Sequence, residues 1–351
     1  MMGRLMWLCA SLLLYTYCGR EGLAVAELVN KQSSEEEKAI QMFVEFVDKY
    51  DKPYKFDTDE YKHRFEVFKG SLRRHKELNR NTSSTGAVYG ITKFSDLTPE
   101  EFKAAYLNGI RGNDKRGYKS ANGYEPDVTK LDFKDLPKKV DWRDKHIISP
   151  VKNQLHCGAC WAFSSVETVE SMYALSTGEK VPQLSVQEVI DCAAGNLGCD
   201  GGDTCSALDW MIKSATPLVP DTEYPLTDKS QFCKIILNGT SGVFVKDYTC
   251  LRDLYRNETK VLLLLANVGP VTVSVDATTW NDYQGGIIQY HCRGATNNHA
   301  VQIVGYDLTG EIPYYIVRNS WGTDFGNAGY LYVKYGGNVC GISREVSTVT
   351  V

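Results

Sequence analysis

Two cysteines three residues apart mark the chain's densest chemistry, in Gln154-Leu155-His156-Cys157-Gly158-Ala159-Cys160-Trp161. A thiol attacks as its thiolate, and the first turn of a helix favours an anion through its unpaired N–H groups and dipole. The residues from Cys160 to Leu175 predict such a helix, with Trp161, Phe163, Val166, Val169, Met172 and Tyr173 along an apolar stripe. Cys160 is therefore a candidate nucleophile. Two structural cysteines at the same spacing are the competing reading.

A thiolate catalyst needs an acid–base partner, and the chain has six histidines. His63 and His75 lie far upstream, His146 and His156 just precede the cysteines, and His291 adjoins Cys292. His299 follows Asn297-Asn298 and opens an apolar run to Val304. A lone histidine at a strand start is more often structural than catalytic. Asn319, in Arg318-Asn319-Ser320-Trp321-Gly322, ends another strand-like run and is suited to hold an imidazole in one tautomer. Trp321 would cover that contact from water. Gln154 offers an amide N–H to a developing oxyanion. Taken singly, Asn319 is an ordinary turn asparagine and Gln154 a solvated loop glutamine. A thiol–disulfide oxidoreductase is a rival chemistry for Cys157-Gly158-Ala159-Cys160, but it wants that motif after a strand in a βαβ unit.

The elements that must position these residues begin with composition. The 351 residues are 43% apolar and 23% charged, with a net charge of −4 and no long basic block. That is a globular composition and a poor nucleic-acid binder. Residues 1–26 read as a signal peptide: Arg4, the apolar Leu5–Leu14 run, and Ala24-Val25-Ala26 as a small-x-small cleavage site. A signal anchor is the alternative. No later stretch is apolar enough to span a membrane. Nine cysteines follow residue 156, an odd number, so in an oxidising compartment at least one stays free or pairs with another chain.

Helical spacing is expected over Glu35–Lys49 and Thr58–Asn79, then a short strand at Val88–Thr92 and a capped helix start at Ser95–Glu101. Asn108–Lys130 reads as an exposed linker. From Leu136 the order is Cys160–Leu175 helix, Ser185–Cys192 helix with Ser185 and Glu188 in capping-box spacing, and a helix over Leu208–Lys213. Strands are expected at Val271–Val275, His299–Val304, Tyr314–Val317 and Tyr330–Lys334. The pattern is a helical half followed by a β half.

Together, Gln154-x5-Cys160-Trp161, Asn298-His299-Ala300 and Asn319-Ser320-Trp321-Gly322 resemble the papain-family cysteine proteases. The 139 residues between Cys160 and His299 fall in that family's range of about 130–150, which belongs to the resemblance. The resemblance implies an α+β, papain-like catalytic domain (helical left half, β-barrel-like right half) preceded by a helical inhibitory propeptide. Its boundaries would be 1–26 signal peptide, 27–135 propeptide and 136–351 peptidase. It implies a cysteine endopeptidase made as a zymogen, with Cys160 as nucleophile, His299 as acid/base, Asn319 as orienter and Gln154 as oxyanion donor. A catalytically silent papain-like binding protein is the alternative.

The resemblance also implies disulfides Cys157–Cys199, Cys192–Cys233 and Cys292–Cys340, which leaves Cys160 free. Cys205 and Cys250 are open: a fourth bridge and two buried thiols fit equally. Glu60, Arg64, Phe68 and Asn79 keep the family's propeptide pattern, while Ser71 and His75 depart from it. Substrate-binding positions would be Gly201, Gly202, Asp203, Thr204, Ser274, Asn298, Trp321 and Glu345. Glu345 would lie at the base of the pocket for the residue two before the scissile bond. An acid there is similar to cathepsin B, so tolerance of a basic residue is expected; a solvent-facing glutamate is equally compatible. Implied partners are peptide and protein substrates, the chain's own propeptide, and cystatin-like inhibitors, for a monomer in the lysosome or secreted. No cofactor, metal, nucleic acid or membrane partner is expected. Sequons at Asn81, Asn238 and Asn257 are candidate glycan sites.

Overall fold

The computed structural model describes residues 34–80, 84–107, 126, 133–234, 242–254, 257–292 and 296–351. The signal-peptide segment, Asn81, Asn238 and nearly all of the expected linker lie outside the described residues. Two compact units divide between Gly70 and Ser71.

The first unit holds α1 (34–49) and most of α2 (Asp59–Leu78). Phe43 and Phe46 are buried, and the Phe43 ring lies 5.0–5.3 Å from Tyr61, Phe65 and Phe68. These residues recur every three or four positions, so they fall on facing stripes. Asp51, at φ 46, ends the first helical run, and Thr58 accepts from the Tyr61 N–H to start the second.

In the second unit β1 (Val88–Tyr89) and α3 (Pro99–Tyr106) precede β2 (Lys139–Asp141). A capping box of Thr98 and Glu101 starts α3. Three helices follow: α4 (Cys160–Thr177), α5 (Val186–Cys192) and α6 (Thr204–Lys213). Gly178 stops α4 at φ 73, a left-handed conformation that glycine adopts without a Cβ penalty. Ser185 caps α5, but Glu188 does not close the box; its carboxylate accepts the Val219 N–H at 3.0 Å instead. Helix α6 begins four residues before the expected Leu208. Asp203 caps it, and its first turn (Thr204, Cys205, Ser206) carries no apolar periodicity to read.

The remaining elements are β3 (Asp247–Arg252), α7 (Thr259–Asn267), β4 (Val271–Val275), β5 (Tyr283–Gly285), β6 (Ile287–Ile288), β7 (His299–Asp307), β8 (Tyr314–Arg318), β9 (Tyr330–Lys334) and β10 (Glu345–Thr350). The main sheet runs β3-β10-β4-β7-β8-β9-β6, with β2 also on β7; β1 pairs with β5 separately. All pairs are antiparallel except β6–β9. Helix α7 had no counterpart in the sequence reading. Its run Val261–Leu265 resembles a buried strand until the sheet supplies a surface for Val261, Leu262, Leu264 and Leu265.

Each half has its own core. One gathers around α4, α5 and α6, the other around the sheet and α7. A polar seam joins them: Thr168 on α4 meets Thr272 on β4 at 2.7 Å, and Gln302 on β7 donates to the Glu167 carbonyl at 3.1 Å. Buried polar groups tolerate such a seam only when paired. Disulfides join Cys157–Cys199, Cys192–Cys233, Cys205–Cys250 and Cys292–Cys340; Cys160 is the free cysteine among the described residues.

Candidate active site

Cys160 is the first residue of α4, where Ala159 occupies the cap position without a side-chain bond. The helix is buried on nearly every face, so its N-terminus is fixed from all sides. The Cys157–Cys199 bridge and a Gly158 N–H to Cys199 carbonyl bond of 2.9 Å hold the loop before it. From the other half, the Ala300 N–H of β7 donates to Cys160 Sγ at 3.3 Å.

His299 opens β7 beside Val275 of β4. Antiparallel pairing of Gln302 with Arg318 returns Asn319 alongside the start of β7. Asn319 Oδ1 accepts the Ser320 N–H at 2.9 Å, which identifies it as the oxygen. It lies 2.7 Å from His299 Nε2, so Nε2 carries the proton. Nδ1 has no hydrogen-bond partner among the described residues. Trp321 lies against the His299 ring at 4.8 Å and Trp280 meets it edge-on at 6.2 Å. Cys160 and His299 are both fully buried. Burial pushes the Cys160 thiol up to about 12, against three backbone N–H groups that lower it. Burial pushes the His299 imidazole down to about 4, against its bond to Asn319. This environment favours the neutral pair.

Gln154 is buried, and its amide is oriented. Oε1 accepts from Ser320 Oγ at 2.8 Å and from Trp321 Nε1 at 3.1 Å. Nε2 must therefore be the donor end. It gives one N–H to the Cys157 carbonyl at 3.1 Å and retains a second. The Gln154 N–H to Ser320 carbonyl bond of 2.8 Å ties this loop to the Asn319–Trp321 turn.

The expected substrate positions fall into smaller groups. Gly202 lies against the Trp161 indole, where a Cβ would come within 2.6 Å of the ring. Gly201, at φ 111, turns the chain into Gly202. Asp203 and Thr204 start α6, and Ser274 on β4 donates to Glu345 on β10 at 3.0 Å. Asn298 does not join them: its amide holds the Ala277 N–H at 2.9 Å and Thr278 at 3.0 Å. Its neighbour Asn297 donates to Ser274 Oγ at 2.8 Å instead. Arg252, absent from the sequence reading, lies between Asp203 and Glu345 at 3.7 and 4.0 Å. No motif marks Arg252; only the pairing of β3 with β10 brings it there.

Residues 71–80 and 84–107 belong to the same unit. Phe94, Phe102 and Tyr106 surround Trp321 at 5.5, 5.4 and 6.1 Å between ring centres. Lys93 donates to the Trp321 carbonyl and to Asp324. Arg74 grips Asp282 at 2.5 and 2.9 Å, and His75 Nε2 meets it at 2.9 Å. Burial alone would raise the Asp282 carboxyl, but Arg74 and His75 outweigh it and hold the group below its ordinary value.

A helix-borne thiol, a strand-borne imidazole held by an asparagine, and a cationic clamp from an N-terminal segment define a cysteine protease carried with its inhibitor. The chain belongs to the papain family: the profile described as papain family cysteine protease matches residues 136–350. The cathepsin propeptide inhibitor domain (I29) matches residues 43–102. Among curated relatives, Cathepsin O of Homo sapiens is 45% identical over 287 residues, covering 81% of this chain and 87% of its own. Cathepsin O of Mus musculus is 44% identical, covering 80% and 88%. Among solved structures, recombinant stem bromelain precursor has a TM-score of 0.76 at 32% identity, over 90% of this chain and 99% of its own. The protein is a cysteine endopeptidase made as a zymogen with a propeptide inhibitor domain.

Proposed function

We propose that Cys160, His299, Asn319 and Gln154 carry out acyl transfer from peptide bonds. The Cys160 thiol passes its proton to His299 Nδ1, and the sulfur attacks the substrate carbonyl carbon. The second Gln154 Nε2 N–H receives the oxyanion. His299 then protonates the leaving amine as the C–N bond breaks, giving an acyl-enzyme. It next takes a proton from water, whose oxygen displaces the sulfur and releases the acid. Asn319 holds Nε2–H so that Nδ1 remains the working nitrogen. The carrying observation is the shared start of β7: His299 bonds Asn319 at 2.7 Å while the next residue's N–H reaches Cys160 Sγ at 3.3 Å.

Residues 1–26 act as a signal peptide, 27–135 as the removable propeptide and 136–351 as the mature peptidase. The protein travels the secretory pathway to lysosomes or out of the cell, where it turns over proteins as a monomer subject to cystatin-like inhibitors. Asn81, Asn238 and Asn257 carry glycans; exposure of Asn257 supports its use. Glu345 lines the pocket for the residue two before the scissile bond, with Asp203, Thr204 and Ser274 around it and Gly201, Gly202 and Trp321 along the substrate's path.

The test is to activate the proenzyme in acid and assay peptide hydrolysis beside Cys160→Ala and His299→Ala. Loss in both variants is expected. Disulfide exchange without hydrolysis would favour an oxidoreductase, a reading that the Cys157–Cys199 bond opposes.

A further inference from the structure

Asp203 on the cap of α6 and Glu345 on β10 both lie within ion-pair distance of the Arg252 guanidinium. Asp203 Oδ1 caps α6 through the Ser206 N–H at 2.8 Å, and Oδ2 lies 3.7 Å from an Arg252 terminal nitrogen. Glu345 Oε2 accepts from Ser274 Oγ at 3.0 Å, and Oε1 lies 4.0 Å from Arg252 Nε. Asn297 donates to Ser274 Oγ at 2.8 Å, which aims the serine hydroxyl at Glu345. The separations from Arg252 to both carboxylates are ion-pair distances and exceed normal hydrogen-bond lengths.

The backbone fixes the arrangement. Arg252 and Glu345 are direct partners in the β3–β10 register. Cys250, two residues before Arg252, faces the same side of β3. It is bonded to Cys205, two residues beyond Asp203. The disulfide therefore staples the start of α6 to the strand that carries the arginine. Arg252 is 31% exposed at its side chain and Glu345 26%, so both border solvent.

We propose that Arg252 sets the charge preference of the pocket for the residue two before the scissile bond, by neutralising one of the two carboxylates of Asp203 and Glu345. The inference rests on the reading of Glu345 as a pocket residue. Glu345 alone attracts a basic substrate side chain. With Arg252 beside it, that side chain meets a like charge as well as the acid, and apolar residues compete on better terms. Glutamate at the pocket base is then restrained, not absent, in its effect.

The experiment compares kcat/KM for peptides that differ only in arginine or phenylalanine at that position, using acid-activated enzyme. Arg252→Gln raises the arginine-to-phenylalanine ratio up to about 5-fold, the size of one partly solvated charge pair. Arg252→Lys keeps the charge and the wild-type ratio. Glu345→Gln lowers the ratio, and Arg252→Gln raises it less in that background than in the wild type. A wild-type unfolding midpoint in denaturant shows that each variant folds. If Arg252→Gln leaves the ratio unchanged while Glu345→Gln lowers it, the inference fails and the pocket reading stands. If Arg252→Lys shifts the ratio as far as Arg252→Gln, packing and not charge is responsible, and the inference fails. If neither Arg252→Gln nor Glu345→Gln moves the ratio, Glu345 is not a pocket residue and both fall.

Discussion

Replacing Arg74 with methionine removes the guanidinium that binds Asp282 while keeping much of the side-chain volume. The Asp282 carboxylate is fully buried and takes two bonds from Arg74, at 2.5 and 2.9 Å, and one from His75 at 2.9 Å. Charge-assisted bonds contribute about 1.5–3 kcal/mol each. Arg74 is 27% exposed, so part of its strength is lost to solvent. Losing Arg74 costs about 3 kcal/mol, or about 100-fold, in the docking of the segment that carries it. The pH dependence follows from the direction of the Asp282 shift. Its docked pKa lies below the ordinary 3.8, so this contact is complete above the undocked value and is lost only as pH falls through the docked one. Mild acid leaves it intact in the wild type. The Arg74→Met proenzyme should therefore shed its N-terminal region at a higher pH and up to about 100-fold faster, as read by gel or mass over a pH series. An unchanged rate and midpoint would refute the assignment of the clamp.

Two further outcomes follow from the site and its scaffold. Gln154→Ala removes the oriented amide and should lower kcat about 100- to 1,000-fold with little change in KM, measured on acid-activated enzyme; an unchanged kcat removes Gln154 from the oxyanion role. Joint Cys205→Ala and Cys250→Ala substitution opens a loop of 45 residues and should cost about 2–4 kcal/mol, read as a lower unfolding midpoint in denaturant. A midpoint equal to wild type would mean that the bridge contributes nothing to the fold.

The elements that carry Cys160 and His299 were legible because each combines strong periodicity with a chemical marker. Helix α4 starts at Cys160 and ends before Gly178, and β7 starts at His299. Contacts set by long-range register were not legible. Asn297 and Asn298 are adjacent and identical in type, yet only the first reaches Ser274. Arg252 has no sequence neighbour that marks it, and Glu345 lies 93 residues away until β3 and β10 pair. The two departures from the family's propeptide pattern acquire partners in the same way. Ser71 donates to the Ser95 carbonyl at 2.8 Å, and His75 meets Asp282. Helix α7 escaped because a leucine run between strands has no periodicity of its own.

Cys160, proposed as the nucleophile paired with His299, is held neutral by burial in the precursor. Alkylation by iodoacetamide, located by peptide mass, reports the ionisation and access of this thiol. At pH 7 the intact proenzyme should label slowly at Cys160, because burial holds the thiol pKa up at about 12. The acid-activated enzyme should label rapidly and only at Cys160, losing peptide hydrolysis in step, and His299→Ala should label slowly even after the propeptide has been removed. Rapid labelling of the His299→Ala enzyme, or hydrolysis that survives complete modification of Cys160, would rule out the Cys160–His299 pair.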